Sequence, residues 1–461
     1  MDESKFQDEA VRDFSAAFVI HVEIAGEVRR RSAEARLEEA VGLAEAIDLK
    51  IVHCEIAVIA SPRPSTLIGA GRVDLIAKRL AETAPRPGLV IVDAALSPGQ
   101  HRNLEKAWDA KVLDRTALIL EIFGARARTA EGRLQVDLAH LTYQKSRLVR
   151  SWTHLERQRG GRGFLGGPGE RQIESDRRAI QVKIDRLRDK LEQVRRTRAL
   201  QREKRRKAPH PVVALVGYTN AGKSTLFNSL SKSHVVARDQ LFATLDPTMR
   251  ALDLPSGQRV ILSDTVGFIS DLPTQLIAAF RATLEEVNEA DLILHIRDYA
   301  HEDADAQRED VIEVLEQLGI DADDGRPVIE VLNKIDLLTS DARLALTAST
   351  RLSRETAAMT IDEPLRIAVS ATTGEGLEDL LRTIDDLLTR GRETLDATLA
   401  AGDGAPIAWL HAHGDVLEEE SLGDMVRLRV RLGDKALGQF RKLYPGVALE
   451  FRPTAPSRLI A

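Results

Sequence analysis

The sequence predicts a multidomain α/β protein, and three observations carry that prediction. At 461 residues the chain exceeds one ordinary domain. Apolar runs alternate with helical patterns upstream of residue 130 and again beyond Val212. Between those regions lie two long heptad-like stretches and, after them, a strand, a glycine loop and a helix start in immediate succession. A hydrophobic share of 43% can fill real cores, while 30% charged and 4% aromatic residues suit a helix-rich soluble protein. No run of about 18 apolar residues occurs, which argues against a membrane span. The start, Met1 to Lys5, lacks a basic-then-apolar leader. Cys54 is the single cysteine, which excludes an internal disulfide and fits a reducing cytoplasm. It lies in the apolar run Ile51–Ala60 and is expected to be a buried, inert thiol. A cytoplasmic monomer is expected.

After a flexible start (1–14), residues 15–130 read as a small N-terminal α/β domain. Phe18–Ile24, Ile51–Ala60, Leu89–Ala94 and Lys111–Leu113 have the apolar runs of strands, and Ser32–Ala46, Arg72–Ala84 and Gly99–Asp109 the pattern of helices. No catalytic cluster stands out in this domain, and Gly69 and Gly71 read as turns. Residues 131–208 read as a basic helical hairpin with a linker. Leu134, Leu138, Leu141, Lys145, Leu148, Trp152 and Leu155 follow alternating steps of four and three, as do Ile173, Arg177, Ile180, Ile184, Leu187, Leu191 and Val194. Such seams pack two helices against each other, with the glycine-rich stretch Gly160–Gly169 at the turn. Arg202–His210 would be the linker.

The hairpin is also where the charge sits. Tyr143–Lys207 holds 21 Lys and Arg against 8 Asp and Glu, a surplus of about 13, so the rest of this chain of net charge −6 carries about −19. One-signed charge around a glycine tip points to a polyanion partner, with Arg157, Arg159, Arg162 and Arg171 as candidate RNA contacts. A solvated helical face is the competing explanation.

Residues 209–392 carry the chemistry. Gly217, Tyr218, Thr219, Asn220, Ala221, Gly222, Lys223 and Ser224 form a P-loop pattern, followed by Thr225 in the helix start. Such a loop aims backbone N–H groups at a polyphosphate. Asp264, Thr265, Val266 and Gly267 close a second apolar run; Asn333, Lys334, Ile335 and Asp336 close a third; Ser370, Ala371 and Thr372 a fourth. Their order is that of a guanine-nucleotide pocket. Lys223 would meet the β- and γ-phosphates, Ser224 would ligate Mg²⁺, and Asp264 would hold the metal's water shell. Gly267 would let its amide approach the γ-phosphate. Asn333 and Asp336 would choose guanine, a carboxylate accepting from its N1–H and amine. Ser370 and Ala371 would offer backbone contacts to its oxygen. GTP and GDP are the expected ligands. The position after Gly267, where many GTPases place a water-orienting glutamine, is Phe268. Slow hydrolysis, with activation from a partner, an ion or another side chain, is therefore expected. Asn220 is a candidate ligand for K⁺, or else only a hydrogen-bonding group of the loop. Residues 404–461 read as a small C-terminal α+β domain, with strands near Ile407–His413 and Met425–Arg431 and a helix near Lys435–Leu443.

Four motifs taken together resemble one family. Ser65–Gly71 (S-T-L-I-G-A-G), Leu96–Glu105 (L-S-P-G-Q-H-R-N-L-E), the glycine-rich tip and the G-Y-T-N-A-G-K-S loop look like those of HflX-type GTPases over roughly residues 15–390. The resemblance implies association with the large ribosomal subunit and its rRNA, and a role in rescue or splitting of stalled ribosomes under stress. It also implies that Phe242, Ala243, Thr244, Leu245 and Asp246 contact nucleotide, with Thr244 as the second Mg²⁺ hydroxyl and, with Lys223 and Gly267, part of the catalytic set. From the residues alone Thr248 competes with Thr244. The alternative to a ribosomal partner is a GTP-dependent regulator whose hairpin binds another RNA or a protein.

Overall fold

The computed structural model describes residues 13–27, 29–158, 168–205, 210–231, 241–242, 248–271, 286–320, 326–353, 364–389 and 392–451. Strands β1 (Asp13–Ile24), β2 (Lys50–Ile59), β3 (Pro87–Asp93) and β4 (Lys111–Asp114) form a parallel sheet in the order β2-β1-β3-β4. Helices α1 (Ala33–Glu45), α2 (Ala70–Glu82) and α3 (Pro98–Trp108) cross between them, and α4 (Arg115–Arg126) follows β4. Local chemistry sets the helix starts. The Ser32 hydroxyl accepts the Ala35 N–H, and Ser97 and Gln100 form a reciprocal capping box with Pro98 at the first helical turn. The Asp114 side chain accepts the Ala117 N–H and so ends β4 and begins α4 together. Cys54 departs from expectation: it is exposed. Strand β2 is an edge strand whose period of two turns Glu55, Ala57 and Ile59 inward and leaves Cys54 and Val58 facing out.

The hairpin is formed by α5 (Ala130–Gln158) and α6 (Pro168–Arg205). On the predicted seam, Ile184 and Leu191 are buried and Leu138, Leu141, Leu148, Ile180 and Leu187 half-buried, whereas Arg177 is exposed. Arg157 stands near the end of α5 and Arg171 near the start of α6. Arg159 and Arg162 lie outside the described residues. Helix continues through Arg205, so Arg202–Arg205 is not linker; nothing before Pro209 breaks the run of helix formers. The first part of α5 packs on the N-terminal domain, where Tyr143 donates to Asp114 at 2.7 Å.

Six strands build the next sheet, in the order β10-β9-β8-β5-β7-β6. They are β5 (Val212–Gly217), β6 (Thr248–Asp253), β7 (Arg259–Asp264), β8 (Leu292–Asp298), β9 (Val328–Asn333) and β10 (Leu365–Ala368), all parallel except β6. Helices α7 (Lys223–Ser231), α8 (Ala304–Gln317), α9 (Ser340–Ser353) and α10 (Leu377–Thr389) belong to it. The last domain begins earlier than expected. Its first strand is β11 (Arg392–Ala400), and Ala401–Asp403 is only the turn into α11 (Gly404–His413). Ile407–His413 is therefore helix, not strand: Leu410 is buried in the core and Trp409 lies 5.2 Å from Phe440. With β12 (Asp415–Leu422), β13 (Met425–Gly433), α12 (Asp434–Leu443) and β14 (Ala448–Phe451), the order β12-β13-β11-β14 gives a ferredoxin-like βαββαβ unit. Arg431 donates to the Ser256 hydroxyl at 3.1 Å and links it to the six-stranded domain.

One apolar core runs without interruption from the N-terminal domain into the six-stranded domain. It joins Leu43, Leu120 and Phe123 to Phe242, Phe268 and Ile269. The Phe123 and Phe242 rings meet edge to face, 4.7 Å between centroids at 80°. Packing is tight enough that a Cβ on Gly42 would stand 3.2 Å from Leu241 Cδ1. Phe123→Ala should cost about 3–5 kcal/mol of stability through the cavity it leaves. It should also lower the urea midpoint equally whether unfolding is followed by tryptophan fluorescence or by nucleotide release. A shift in only one probe would show that the two domains unfold separately.

Candidate nucleotide-binding site

The phosphate loop lies where chain topology reverses. From β5 the chain reaches β7 on one side and β8 on the other, the position at which open α/β sheets bind ligands. Strand β5 is apolar and buried, so its end projects Gly217–Gly222 beyond the sheet, and α7 starts at Lys223. Gly222 has φ +93°, and a Cβ there would stand 2.2 Å from Asn333 Nδ2, so no other residue fits. Lys223 is buried, and its ammonium donates to the Gly217 and Tyr218 carbonyls at 3.0 and 2.6 Å. Burial pushes its pKa down to about 8, with Asp264 opposing the fall. Ser224 Oγ donates to Asp264 Oδ2 at 2.8 Å, which brings two hard oxygen donors to one place at the start of α7. That donor set fits Mg²⁺. Thr265 is turned away and donates to the Leu215 carbonyl at 2.6 Å. Thr219 and Ala221 are buried, and Thr225 is half-buried on α7. Asn220 is exposed at the loop tip with φ +58°, and among the described residues its amide makes no hydrogen bond.

The base-reading loops converge at the other end, with one change from expectation. Asn333 is a brace: its Nδ2 donates to the Ala221 carbonyl at 2.8 Å and its Oδ1 accepts the Ala371 N–H at 3.0 Å. One buried amide thereby fixes the phosphate loop and the Ser370–Thr372 loop relative to each other. The Ser370 N–H is also engaged, donating to the Glu375 carbonyl at 2.9 Å, so both amides are bonded within the protein. Lys334 adopts φ +65° and pairs with Asp298 at 2.7 Å. Ile335 is buried beneath, while Thr372 is exposed. Asp336 is half-buried, and among the described residues its carboxylate makes no hydrogen bond. A carboxylate so placed could accept from the N1–H and amine of a guanine.

The segment after Asp264 is bound to the phosphate loop. Phe268 N–H donates to the Gly217 carbonyl at 3.1 Å, and the Thr219 N–H donates to the Phe268 carbonyl at 2.7 Å. A Cβ on Gly267 would stand 2.9 Å from Lys223 Nζ. The Val266 and Phe268 rings and methyls are buried in the shared core. Tyr218 and Phe242, expected as nucleotide contacts, send their side chains into the N-terminal domain instead. Phe242 rests on Phe123; Tyr218 donates to Glu39 and accepts from Arg31 at 2.8 Å and from the Ser270 N–H at 2.7 Å. Ala243, Thr244, Leu245 and Asp246 lie outside the described residues.

Around Tyr218 stands a charge cluster that no sequence pattern announced. Arg115 Nη1 donates to Asp93 at 2.6 Å, and its Nη2 donates to Glu39, to the Ser270 carbonyl at 2.8 Å and to the Ser270 hydroxyl at 3.0 Å. Ser270 Oγ donates to Glu39 at 2.7 Å, and Arg31 bridges Glu39 and Asp303 at 2.6 and 3.0 Å. Burial alone would raise the Glu39 and Asp93 carboxyls, but the adjoining guanidinium charges hold both below the usual range. Burial and the Glu39 carboxylate push the Tyr218 phenol up, so it remains a donor.

Residues 34–124 match the GTP-binding GTPase N-terminal family, residues 126–205 the GTP-binding GTPase Middle Region family, and residues 212–334 the 50S ribosome-binding GTPase family. The GTPase HflX of Magnetococcus marinus is 48% identical over 428 residues, 92% of this chain and 95% of its own length. That of Escherichia coli is 46% identical over 329 residues, 71% of this chain and 73% of its own. Among solved structures, a GTP-binding protein from Sulfolobus solfataricus in complex with GDP is 24% identical with a TM-score of 0.44, covering 81% of this chain and 99% of that one.

Two outcomes test the pocket. Phosphate binding needs Lys223 charged, yet in the free chain it loses its proton near pH 8. Below that pH binding takes up no proton; above it binding must take one up, so GTP affinity should fall by up to about tenfold per pH unit. Calorimetry from pH 7 to 9.5 in buffers of different ionisation enthalpy reads this directly, and a flat profile would contradict it. Asp336→Asn replaces an acceptor by a group that also donates. It should weaken GTP by about 2 kcal/mol or more and favour xanthine over guanine nucleotide. Unchanged GTP affinity would mean that Asp336 does not read the base.

Proposed function

Because the chain belongs to the HflX family of GTPases, we propose that it is a GTP-driven switch on the large ribosomal subunit, acting in rescue, splitting or quality control of ribosomes under stress. The observation that supports this most is the joining, in one chain, of a domain that matches the 50S ribosome-binding GTPase family to a solvent-facing basic hairpin. Arg177, Lys183, Arg186, Arg188 and Lys190 are all exposed along α6. Folded RNA is recognised chiefly through shape and phosphates, which suits a rigid rod carrying charge toward a tip. No helix among the described residues is long and apolar enough to cross a membrane, and we place the work in the cytoplasm.

The chemistry divides among the residues already located. Ser224 and, through water, Asp264 would hold Mg²⁺, with Thr244 as the second hydroxyl; the ion would neutralise charge on the phosphates. Lys223 stabilises the charge that develops between the β- and γ-phosphates. The Phe268 ring is buried and cannot orient water. Turnover by the chain alone is therefore slow, and a bound partner completes the alignment of the nucleophile. Positioning of that kind is worth about 10²-fold or more in rate.

Sedimentation through sucrose tests the proposal. With a non-hydrolysable GTP analogue the chain should travel with large subunits, and with GDP it should stay at the top. Neutralising Arg157, Arg159, Arg162 and Arg171 together should weaken that association and flatten its salt dependence, while GTP binding survives. Equal affinity of the four-fold variant at several salt concentrations would reduce the hairpin charge to a solvated face. Rapid multiple turnover without ribosomes would overturn the slow-switch description.

A further inference from the structure

We infer that the cluster of Arg115, Glu39, Tyr218 and Ser270 makes the pocket discriminate between di- and triphosphate: it holds Gly267–Ser270 across the seat of the third phosphate, which GTP must displace and GDP need not. The inference rests on the guanine-nucleotide pocket described above and concerns its selectivity.

Contacts at Gly267, Phe268, Ser270 and Asp271 define the held position. The Thr219 N–H, an amide of the phosphate loop, is occupied by the Phe268 carbonyl. Gly267 lies so close over Lys223 that even a methyl group would stand 2.9 Å from the ammonium. Beyond Phe268, Ser270 is fixed at all three of its polar groups: its N–H by Tyr218, its carbonyl by Arg115, and its hydroxyl by Glu39 and Arg115. Asp271, next in the chain, pairs with Arg36 of α1. In a P-loop the backbone amides cradle the inner phosphates and the lysine reaches the β- and γ-phosphates, so a third phosphate would come to the Lys223 ammonium, over which Gly267 lies.

The hold is strong because of where it is made. In the N-terminal sheet the strand order reverses between β1 and β3, and the crevice at their carboxyl ends is where such sheets take a ligand. Here His21 and Asp93 stand at those ends, 2.7 Å apart, and the crevice is filled by Arg115, whose remaining donors reach Ser270. The GTPase segment thus occupies a ligand site in the neighbouring domain. Tyr218 makes the coupling two-way, since it belongs to the phosphate loop and yet bonds Glu39 and Ser270. Phe242, with φ +55° and its ring on Phe123, anchors the chain just before residues 243–247 to the same domain. A ligand shifts an equilibrium only by its differential affinity for two states. Triphosphate has such a difference here, and diphosphate has none.

Arg115→Ala would leave Glu39 and Asp93 buried without their shared cation and could prevent folding. Ser270→Ala and Arg36→Ala instead each loosen the held segment while Arg115 keeps its pairs with Asp93 and Glu39. In the full chain, fluorescence-detected binding of GDP and of a non-hydrolysable GTP analogue should give unchanged GDP affinity in both variants. Affinity for the analogue should rise about tenfold in Ser270→Ala and further in the double variant. By linkage the analogue, and not GDP, should speed amide hydrogen exchange at Phe268–Asp271 in the wild-type chain. Parallel shifts in both affinities, or no shift in either, would overturn the inference, as would equal exchange in the two complexes. Ribosomes are absent from this assay, so its result is independent of the sedimentation outcome, and wild-type GDP binding reports separately on the pocket itself.

Discussion

The guanidinium of Arg115 is the interaction on which the arrangement of the domains depends. It is buried among two carboxylates and a serine drawn from three different elements, and one of those elements belongs to another domain. Burial works against a charge at that point, yet Asp93 and Glu39 more than offset it and its pKa is raised. Removing one partner from such a group typically costs about 3–5 kcal/mol, because the charges left behind cannot recover their water. Directional bonds of this kind also select one relative placement of the domains, which the apolar surfaces around Phe123 and Phe242 would not do by themselves. Its chain neighbour Asp114 caps α4 and accepts from Tyr143 of α5. Two consecutive residues at the end of β4 therefore meet the hairpin and the nucleotide domain together.

Much of the nucleotide pocket was legible because phosphate and guanine leave few alternatives in residue type. Gly222 must be glycine where Asn333 presses on it, Lys223 must be a cation, and Ser224 and Asp264 must present oxygen. The N-terminal strands were legible for a different reason: a parallel sheet covered on both faces needs uninterrupted apolar runs such as Leu89–Val92. What remained hidden was every contact whose meaning depends on a distant residue. Glu39 and Arg115 pair across 76 positions, and the helix that Arg115 opens has no counterpart among the elements the sequence pattern predicts. Cys54 misled because apolar content does not reveal which face of an edge strand meets the core. The α11 segment misled because a short apolar run such as Ile407–Leu410 suits a strand as well as a helix; its burial, at Pro406 and Leu410 with Ile407 and Trp409 packed beside them, follows helical spacing.

Asn333 illustrates a finer limit. The motif identifies the residue and the chemistry identifies its amide, but the partners are chosen by the fold. Both ends of that amide are taken by backbone of two loops, so it holds the walls of the pocket at a fixed separation. Asp336, one short turn further on, keeps its acceptors available. Recognition and rigidity are divided between neighbours three residues apart.

The continuous core also means that boundaries along the chain are not boundaries in space. A fragment cut at residue 210 would carry the complete nucleotide loops, yet Phe242, Phe268 and Ile269 would then lose the N-terminal side of their core, Leu43, Leu120 and Phe123 included. Tyr218 and Ser270 would lose the carboxylate and guanidinium that order them. Such a piece would tend to associate with itself through the bared rings, and its nucleotide preference would be that of a pocket without its neighbour. The smallest faithful unit of this enzyme is larger than the domain that holds its substrate.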